Sequence, residues 1–467
     1  MSTENKGYRK LVFLICIVAA LGGLLFGLDQ GFIANAGETL NFIYGVEKGS
    51  AIEGNFNSIL AIGGIIGTIC AGFFTRILGR KNTLLIAGFS FVIGSVISSL
   101  LPPYSILTAC RFILGFGVGL ASFATPLYLA ETAPTNIRGS ILTLFQIMIT
   151  FGIFLICLSN VLIIELVGKT KISITLMFSV LAFFALLMFI GCFFLPKSPR
   201  WLMLKGKEND AIKVLEKIRN ADEVHIEIEE IKQKINQQRY SLIEAFKYSF
   251  FWKIVAAGVM LQMLQQLIGI NAIIYYSPQF LQSAGLSIVL AGLSVFFINF
   301  ISTFPAIKWV EKWGRKKLLV VGAIIMMFSL LTIALSFILI DIVHIKSHFI
   351  KYILLIACLI YIFGFACSWG PVVWTLCSEI FPQKIREIGL TITTITNWTF
   401  AGVVIANSNR VMNSGEWGKP IIFIFYAIVC LIAILLLKKF VPETKGVSLE
   451  KIESDLISGK RLIDIGK

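Results

Sequence analysis

The chain reads as an all-α polytopic membrane protein of twelve membrane-crossing helices, and three observations lead there. Of its 467 residues, 57% are hydrophobic and 14% charged, where a soluble protein carries about a quarter charged residues. The mean hydropathy is +0.86. Apolar stretches of roughly 20 residues, each able to cross a hydrocarbon core of about 30 Å, recur along the whole length. They are too long for membrane β-strands, and a helix satisfies its own backbone polar groups in lipid.

The stretches fall at residues 10–36, 54–78, 82–101, 104–130, 141–163, 173–196, 251–284, 289–312, 317–340, 350–380, 388–413 and 419–440. The first is too long for the core of a cleavable signal peptide, and further spans follow it. It holds Asp29 near its end. An Asp at the centre of a membrane helix costs about 2.5–3.5 kcal/mol on insertion scales. Ion or proton handling inside a bundle is the reading this favours, against an acid neutralised by a structural partner. Arg111 is a second charge inside an apolar span, the fourth, and pairing the two lowers both costs.

The nine cysteines all fall inside the spans, with no CxxC spacing, so they read as small membrane residues; no disulfide framework or metal site is implied. The net charge of +15 does not indicate nucleic acid. Basic residues cluster in alternate connections, at Arg9 and Lys10, Arg76 to Lys81, Arg138, Lys312 to Lys317, Lys384 and Arg386, and Lys438 and Lys439. This positive-inside pattern expects both termini in the cytoplasm.

Residues 197–250 interrupt the hydropathy with amphipathic, charge-alternating sequence, read as short helices at the cytoplasmic surface. The division is thus an N-terminal six-helix half (1–196), a linker (197–250), a C-terminal six-helix half (251–440) and a tail (441–467). The halves repeat one another. Glu131, Pro134 and Arg138 after span 4 recur as Glu379, Pro382 and Arg386 after span 10, at a common offset of 248. Gly79-Arg80-Lys81 recurs as Gly314-Arg315-Lys316, and Phe194-Leu195-Pro196 as Phe440-Val441-Pro442. Two homologous halves in parallel orientation are a transporter plan, with the substrate site between them near mid-membrane. Glu131 and Glu379 sit at helix C-termini, where the dipole disfavours an anion. Their cationic compensation is expected from Arg80, Arg138, Arg315 and Arg386, with Glu311, in one cytoplasmic gate network spanning both halves.

Several motifs resemble the sugar porter family of the major facilitator superfamily: Arg111-Phe-x-x-Gly115-x-Gly117-x-Gly119; Pro126-x-Tyr128-x-x-Glu131-x-x-Pro134-x-x-x-Arg138-Gly139; Pro196-Lys197-Ser198-Pro199-Arg200-Trp201-Leu202; Gln265-Gln266-Leu-Ile-Gly269-Ile-Asn271 followed by Tyr275-Tyr276; Trp369-Gly370-Pro371-Val-Val-Trp374; and Pro442-Glu443-Thr444. The resemblance covers nearly the whole chain and implies the major facilitator fold. Two departures stand out. Arg76-Ile77 replaces the family's acid or amide and base between spans 2 and 3, and Lys197 replaces its usual Glu.

A sugar presents hydroxyls around apolar C–H faces, so its site needs amides, which donate and accept, and an aromatic face. The resemblance places Gln146, Gln265, Gln266, Asn271, Asn397 and Trp374 around the sugar, with Asn299 at a further matching position; Phe26 and Trp398 are candidate walls. On an unbroken helix Gln266 and Asn271 would lie roughly 140° apart, so a local break at Gly269 is expected. The resemblance also implies that Asp29 carries the proton beside Arg111, as in proton-coupled porters, whereas facilitative carriers commonly have Asn there.

The reading is therefore a proton-coupled monosaccharide symporter, a hexose such as glucose or galactose being its cargo, functional as a monomer in the bilayer of a bacterial inner membrane. A facilitative uniporter is the alternative, and a transporter-like sugar sensor a lesser one. No enzyme is expected, because no Ser/His/Asp set, metal cluster or nucleotide loop is evident, and no cofactor or nucleic-acid partner is implied. His225, His344 and His348 fall outside the site motifs, and the sequon Asn397-Trp-Thr399 lies inside a span.

Overall fold

The computed structural model describes residues 3–133, 138–219, 224–225, 227–229, 231–232, 249–345, 347–382, 385–447 and 449–465. Twelve helices in it are long and apolar enough to cross a membrane. Spans 1 to 6 are Thr3–Tyr44, Ala51–Ile77, Arg80–Ser99, Tyr104–Thr132, Arg138–Val167 and Lys171–Phe194. Span 7 is two helices, Ser249–Leu267 and Ile270–Ser283. Span 8 is Ile288–Trp313; span 9 is Arg315–Phe337, prolonged by a π-helical turn at Ile338–Ile342. Span 10 runs His348–Gly364, widens into a π turn at Phe365–Trp369, and resumes as Gly370–Ile380. Spans 11 and 12 are Arg386–Met412 and Gly418–Phe440. Between the two sets of six lie the short helices Pro199–Leu204 and Glu208–Ile218, and Leu449–Ile457 follows span 12. Among the described residues there is no strand. The protein is a multi-pass membrane protein.

Helix ends follow local chemistry. Ser50 caps span 2 by accepting from the Glu53 backbone N–H at 3.3 Å, and Thr170 and Ser173 form a reciprocal capping box at span 6. Gly79 and Gly314 precede spans 3 and 9 with nearly identical backbone angles, φ 88° and ψ 163° against φ 85° and ψ 167°. That region of conformational space belongs to glycine. The internal repeat is therefore a repeat of backbone geometry as well as of letters.

The glycines of span 4 serve contact rather than nucleotide binding. A Cβ on Gly115 would lie 2.1 Å from the Leu60 carbonyl oxygen, and one on Gly119 2.3 Å from that of Gly64. Spans 2 and 4 thus touch backbone to backbone, which only small residues permit. Among the described residues, two long seams join the two sets of six, beside the contacts that span 1 makes with spans 7 and 11. Span 2 lies on span 11, where a Cβ on Gly54 would approach the Ala406 carbonyl to 2.9 Å. Span 5 lies on span 8, through rings such as Phe151 and Phe300 at 5.3 Å and the hydroxyls of Thr150 and Thr303 at 3.2 Å.

Candidate transport site

Asp29 and Arg111 are both fully buried, and Arg111 Nη1 donates to Asp29 Oδ1 at 2.6 Å. The guanidinium also stands over the Phe56 ring, 5.7 Å from its centroid. The contact is single. Asp29 Oδ2 and the Nε and Nη2 of Arg111 have no hydrogen-bond partner among the described residues, so the pair lacks the two-pronged geometry that makes Arg–carboxylate pairs strongest. The buried phenol of Tyr275, from span 7, lies within electrostatic reach of both charges.

Span 7 breaks where the sequence expects. Gly269 adopts φ 93°, and its missing side chain admits Tyr426, whose ring a Cβ would meet at 2.5 Å. The carbonyl freed at Ile268 accepts from the Tyr361 hydroxyl at 2.9 Å. The break lets three neighbouring amides join two chains of hydrogen bonds. In one, Asn397 Nδ2 donates to Gln262 Oε1 at 2.6 Å and to Gln265 Oε1 at 2.8 Å. Gln265 Nε2 donates onward to the carbonyls of Trp369 and Gly370, at 2.7 and 3.3 Å, beside the π turn of span 10. In the other, Gln30 Nε2 donates to Asn271 Oδ1 at 2.8 Å, and Asn271 Nδ2 to Gln266 Oε1 at 2.6 Å. Gln262, Gln265, Gln266, Asn271 and Asn397 are all buried.

Not every expected residue joins these chains. Asn299 is buried, and Gln146 and Trp374 are half-buried, but none of the three enters the amide bonds just described. Phe26 and Trp398 do meet, at 5.4 Å between ring centroids. Gln262 and Gln30 are additions that sequence reading missed. Gln262 stands three residues before Gln265 and therefore on the same helix face. Gln30 was masked by the charge beside it.

The residues expected to form a gate fall into two clusters, one in each set of six. Arg80 donates from Nε and Nη2 to Glu131 Oε1, at 3.1 and 2.7 Å. Arg315 donates to Glu379 from Nε at 3.2 Å and Nη2 at 2.8 Å, and to Glu311 at 3.0 Å. The expectation of one network spanning the halves is corrected: each of these Arg–Glu clusters closes within its own half, because Arg80 and Arg315 each reach the Glu one span away. Among the described residues, the ion pair seen to cross is Arg76 to Glu387, from span 2 to the first turn of span 11, at 2.8 Å. The residue that departs from the family pattern makes the bridge. The Arg386 guanidinium donates to the carbonyl of Phe381, at the end of span 10, at 3.2 Å. The side chain of Arg138 lies outside the described residues. The nine cysteines are free.

With this geometry in view, the comparison with known proteins is specific. The family described as sugar (and other) transporter matches residues 15–456. The chain belongs to that family. A galactose-proton symporter of Escherichia coli K12 is 37% identical over 99% of this chain and 98% of its own length. An arabinose-proton symporter of the same strain is 34% identical over 98% and 96%. Among solved structures, the proton:xylose symporter XylE bound to 6-bromo-6-deoxy-D-glucose superposes with a TM-score of 0.80 at 31% identity, covering 96% of this chain and 99% of that one. Family membership shows the major facilitator fold that the motifs imply, and the relatives are transporters rather than enzymes.

Proposed function

We propose that this protein carries a monosaccharide, a hexose by preference, inward across a bacterial inner membrane together with a proton, by alternating access. The Arg-rich face at Gly79 and Gly314 and both termini would then be cytoplasmic, and the monomer would be the working unit. The observation that carries the reading is the fully buried Asp29–Arg111 contact at 2.6 Å in the same bundle as the chains of amides. Arg111 favours the charged form of Asp29; drawn away from it within an apolar bundle, an uncompensated charge is costly and the acid takes a proton. Rocking of one half against the other supplies that separation, and a swing of a few kcal/mol matches ordinary conformational coupling. The amide chains serve the cargo, because each amide donates and accepts as a hydroxyl does. The symporter relatives for galactose and arabinose support both halves of the reading.

Asp29→Asn tests it. The expected result in sealed vesicles is loss of uphill accumulation under a proton gradient, with sugar counterflow retained. An Asn protein that still concentrates sugar would falsify the proton role and leave a facilitative carrier. Robust uptake by cells in unbuffered medium without alkalinisation would overturn the proton role by an independent route.

A further inference from the structure

The first span sends two consecutive polar side chains in two directions. Asp29 and Gln30 are about 100° apart around the helix. Asp29 meets Arg111 of its own half, whereas half-buried Gln30 crosses to the second half and donates to Asn271. Phe26 is one turn before Gln30, on the same face, and its ring meets Trp398 of span 11. That face of span 1 therefore sets an apolar ring and an amide against the amides of span 7.

We propose that Gln30 is a sugar-contacting, specificity-determining residue supplied by the first half, and that a cargo hydroxyl inserts into its bond to Asn271. The proposal rests on the sugar-symport reading and deepens it. A hydroxyl oxygen accepts from Gln30 Nε2 while its proton is donated to Asn271 Oδ1, so insertion leaves neither amide unsatisfied. Asn271 keeps its donation to Gln266 throughout. Without cargo the two amides pair directly at 2.8 Å; with a hydroxyl between them, two bonds in series hold them roughly 5 Å apart. The spacing of spans 1 and 7 thus depends on the cargo. Asp29 precedes Gln30 on the unbroken helix Thr3–Tyr44, so the displacement acts on the helix that bears the acid. A sugar with no hydroxyl at that point, or with it on the other face of the ring, leaves the amides to pair with each other and is discriminated against.

The test uses the purified full-length protein and measures binding of D-galactose, D-glucose and their monodeoxy analogues to wild type, Gln30→Leu and Gln30→Asn. One monodeoxy analogue is expected to bind wild type about tenfold more weakly than its parent sugar, the loss of one hydrogen bond. Gln30→Leu is expected to bind the parent at that weakened level and to discriminate no further against the same analogue. An equal loss for the parent and every analogue overturns the proposal, because it marks a structural role; so does unchanged affinity for the parent. If Gln30→Leu does not fold, Gln30→Asn decides: weakened discrimination at that one hydroxyl supports the proposal, and wild-type discrimination overturns it. Failure of wild type to bind any of these sugars overturns the cargo reading as well, whereas selective loss in Gln30→Leu with accumulation intact in Asp29→Asn overturns the proton role alone.

Discussion

The Arg-rich corner of the first half and that of the second are built on one plan and filled differently. In each, a glycine with φ near 87° (88° and 85°) starts a span, the next residue is an Arg paired with a Glu at the end of the helix beyond, and a hydroxyl donates to that same Glu. The hydroxyl is Ser198, to Glu131, in the first half and Thr444, to Glu379 at 2.5 Å, in the second. The residue before the hydroxyl is where they part. Glu443 accepts from the backbone N–H groups of Arg315 and Lys316, at 2.9 and 3.1 Å, which places a carboxylate on the positive end of span 9. Lys197 stands at the equivalent place and cannot do this. Trp201 closes the first corner instead: a Cβ on Gly79 would lie 2.9 Å from its ring, and its Nε1 donates to the Arg76 carbonyl at 3.1 Å. The first corner is tighter, its Arg and Glu side chains 3% and 4% exposed against 8% and 21% in the second. One backbone plan thus accepts either an aromatic lid or a capping carboxylate, and the choice sets how deeply the ion pair is buried.

Four substitutions press on that contrast. Glu131→Ala has the largest expected effect, a loss of about 3–5 kcal/mol of stability, because it strands Arg80 uncompensated in a buried setting. Glu379→Ala should lose less, about 1.5–3 kcal/mol, since Arg315 retains Glu311 and more solvent. Denaturant unfolding in detergent micelles measures both, and equal losses would remove the claim that the lid makes the first corner the tighter one. Next come the capping positions. Glu443→Gln should cost about 1 kcal/mol, and Lys197→Glu should add about 0.3–1 kcal/mol by giving span 3 the carboxylate that span 9 has. A destabilising Lys197→Glu would show that the first corner has no room for the second corner's device.

The smallest effect is expected at the pair that joins span 2 to span 11. Arg76 and Glu387 are 60% and 29% exposed, so their bond contributes at most about 1 kcal/mol and weakens with salt. Arg76→Glu or Glu387→Arg alone should shift the protein toward opening at this face by a few-fold, and the double exchange should restore it. Reactivity of an engineered cysteine under the seam reads the shift. A double exchange no better than the single ones would mean that the cross-half bond does not govern opening.

Much of the candidate site was legible in the sequence because misplaced polarity is visible in an apolar run. Asp29, Arg111 and the paired Gln265-Gln266 stand out by that criterion, and Gly269 marked the break that lets the amides converge. What was not legible was partner choice. The Glu131 and Glu379 repeat suggested one shared network, yet each Glu is claimed by the Arg of its own half, and the crossing bond went to Arg76, a residue notable only as a departure. Gln30 gave no signal of its own, since a polar residue next to a charged one has no periodicity. The π turn of span 10, whose neighbouring carbonyls receive Gln265, has no composition of its own to announce it.

The sequence by itself determined the twelve spans, the internal repeat of motifs, the two costly charges within apolar runs and the kind of chemistry the bundle offers. Each is a sum of local transfer and conformational preferences, which the order of residues carries without reference to distant neighbours. Only the tertiary structure decided that Arg111 holds Asp29 by a single bond, that Gln30 crosses to Asn271, and that Trp201 and Glu443 solve the same problem in two ways. A hydrogen bond depends on tenths of an ångström between residues up to hundreds of positions apart, and those distances are set by how closely glycine-lined helices approach and where spans 7 and 10 depart from regular helix.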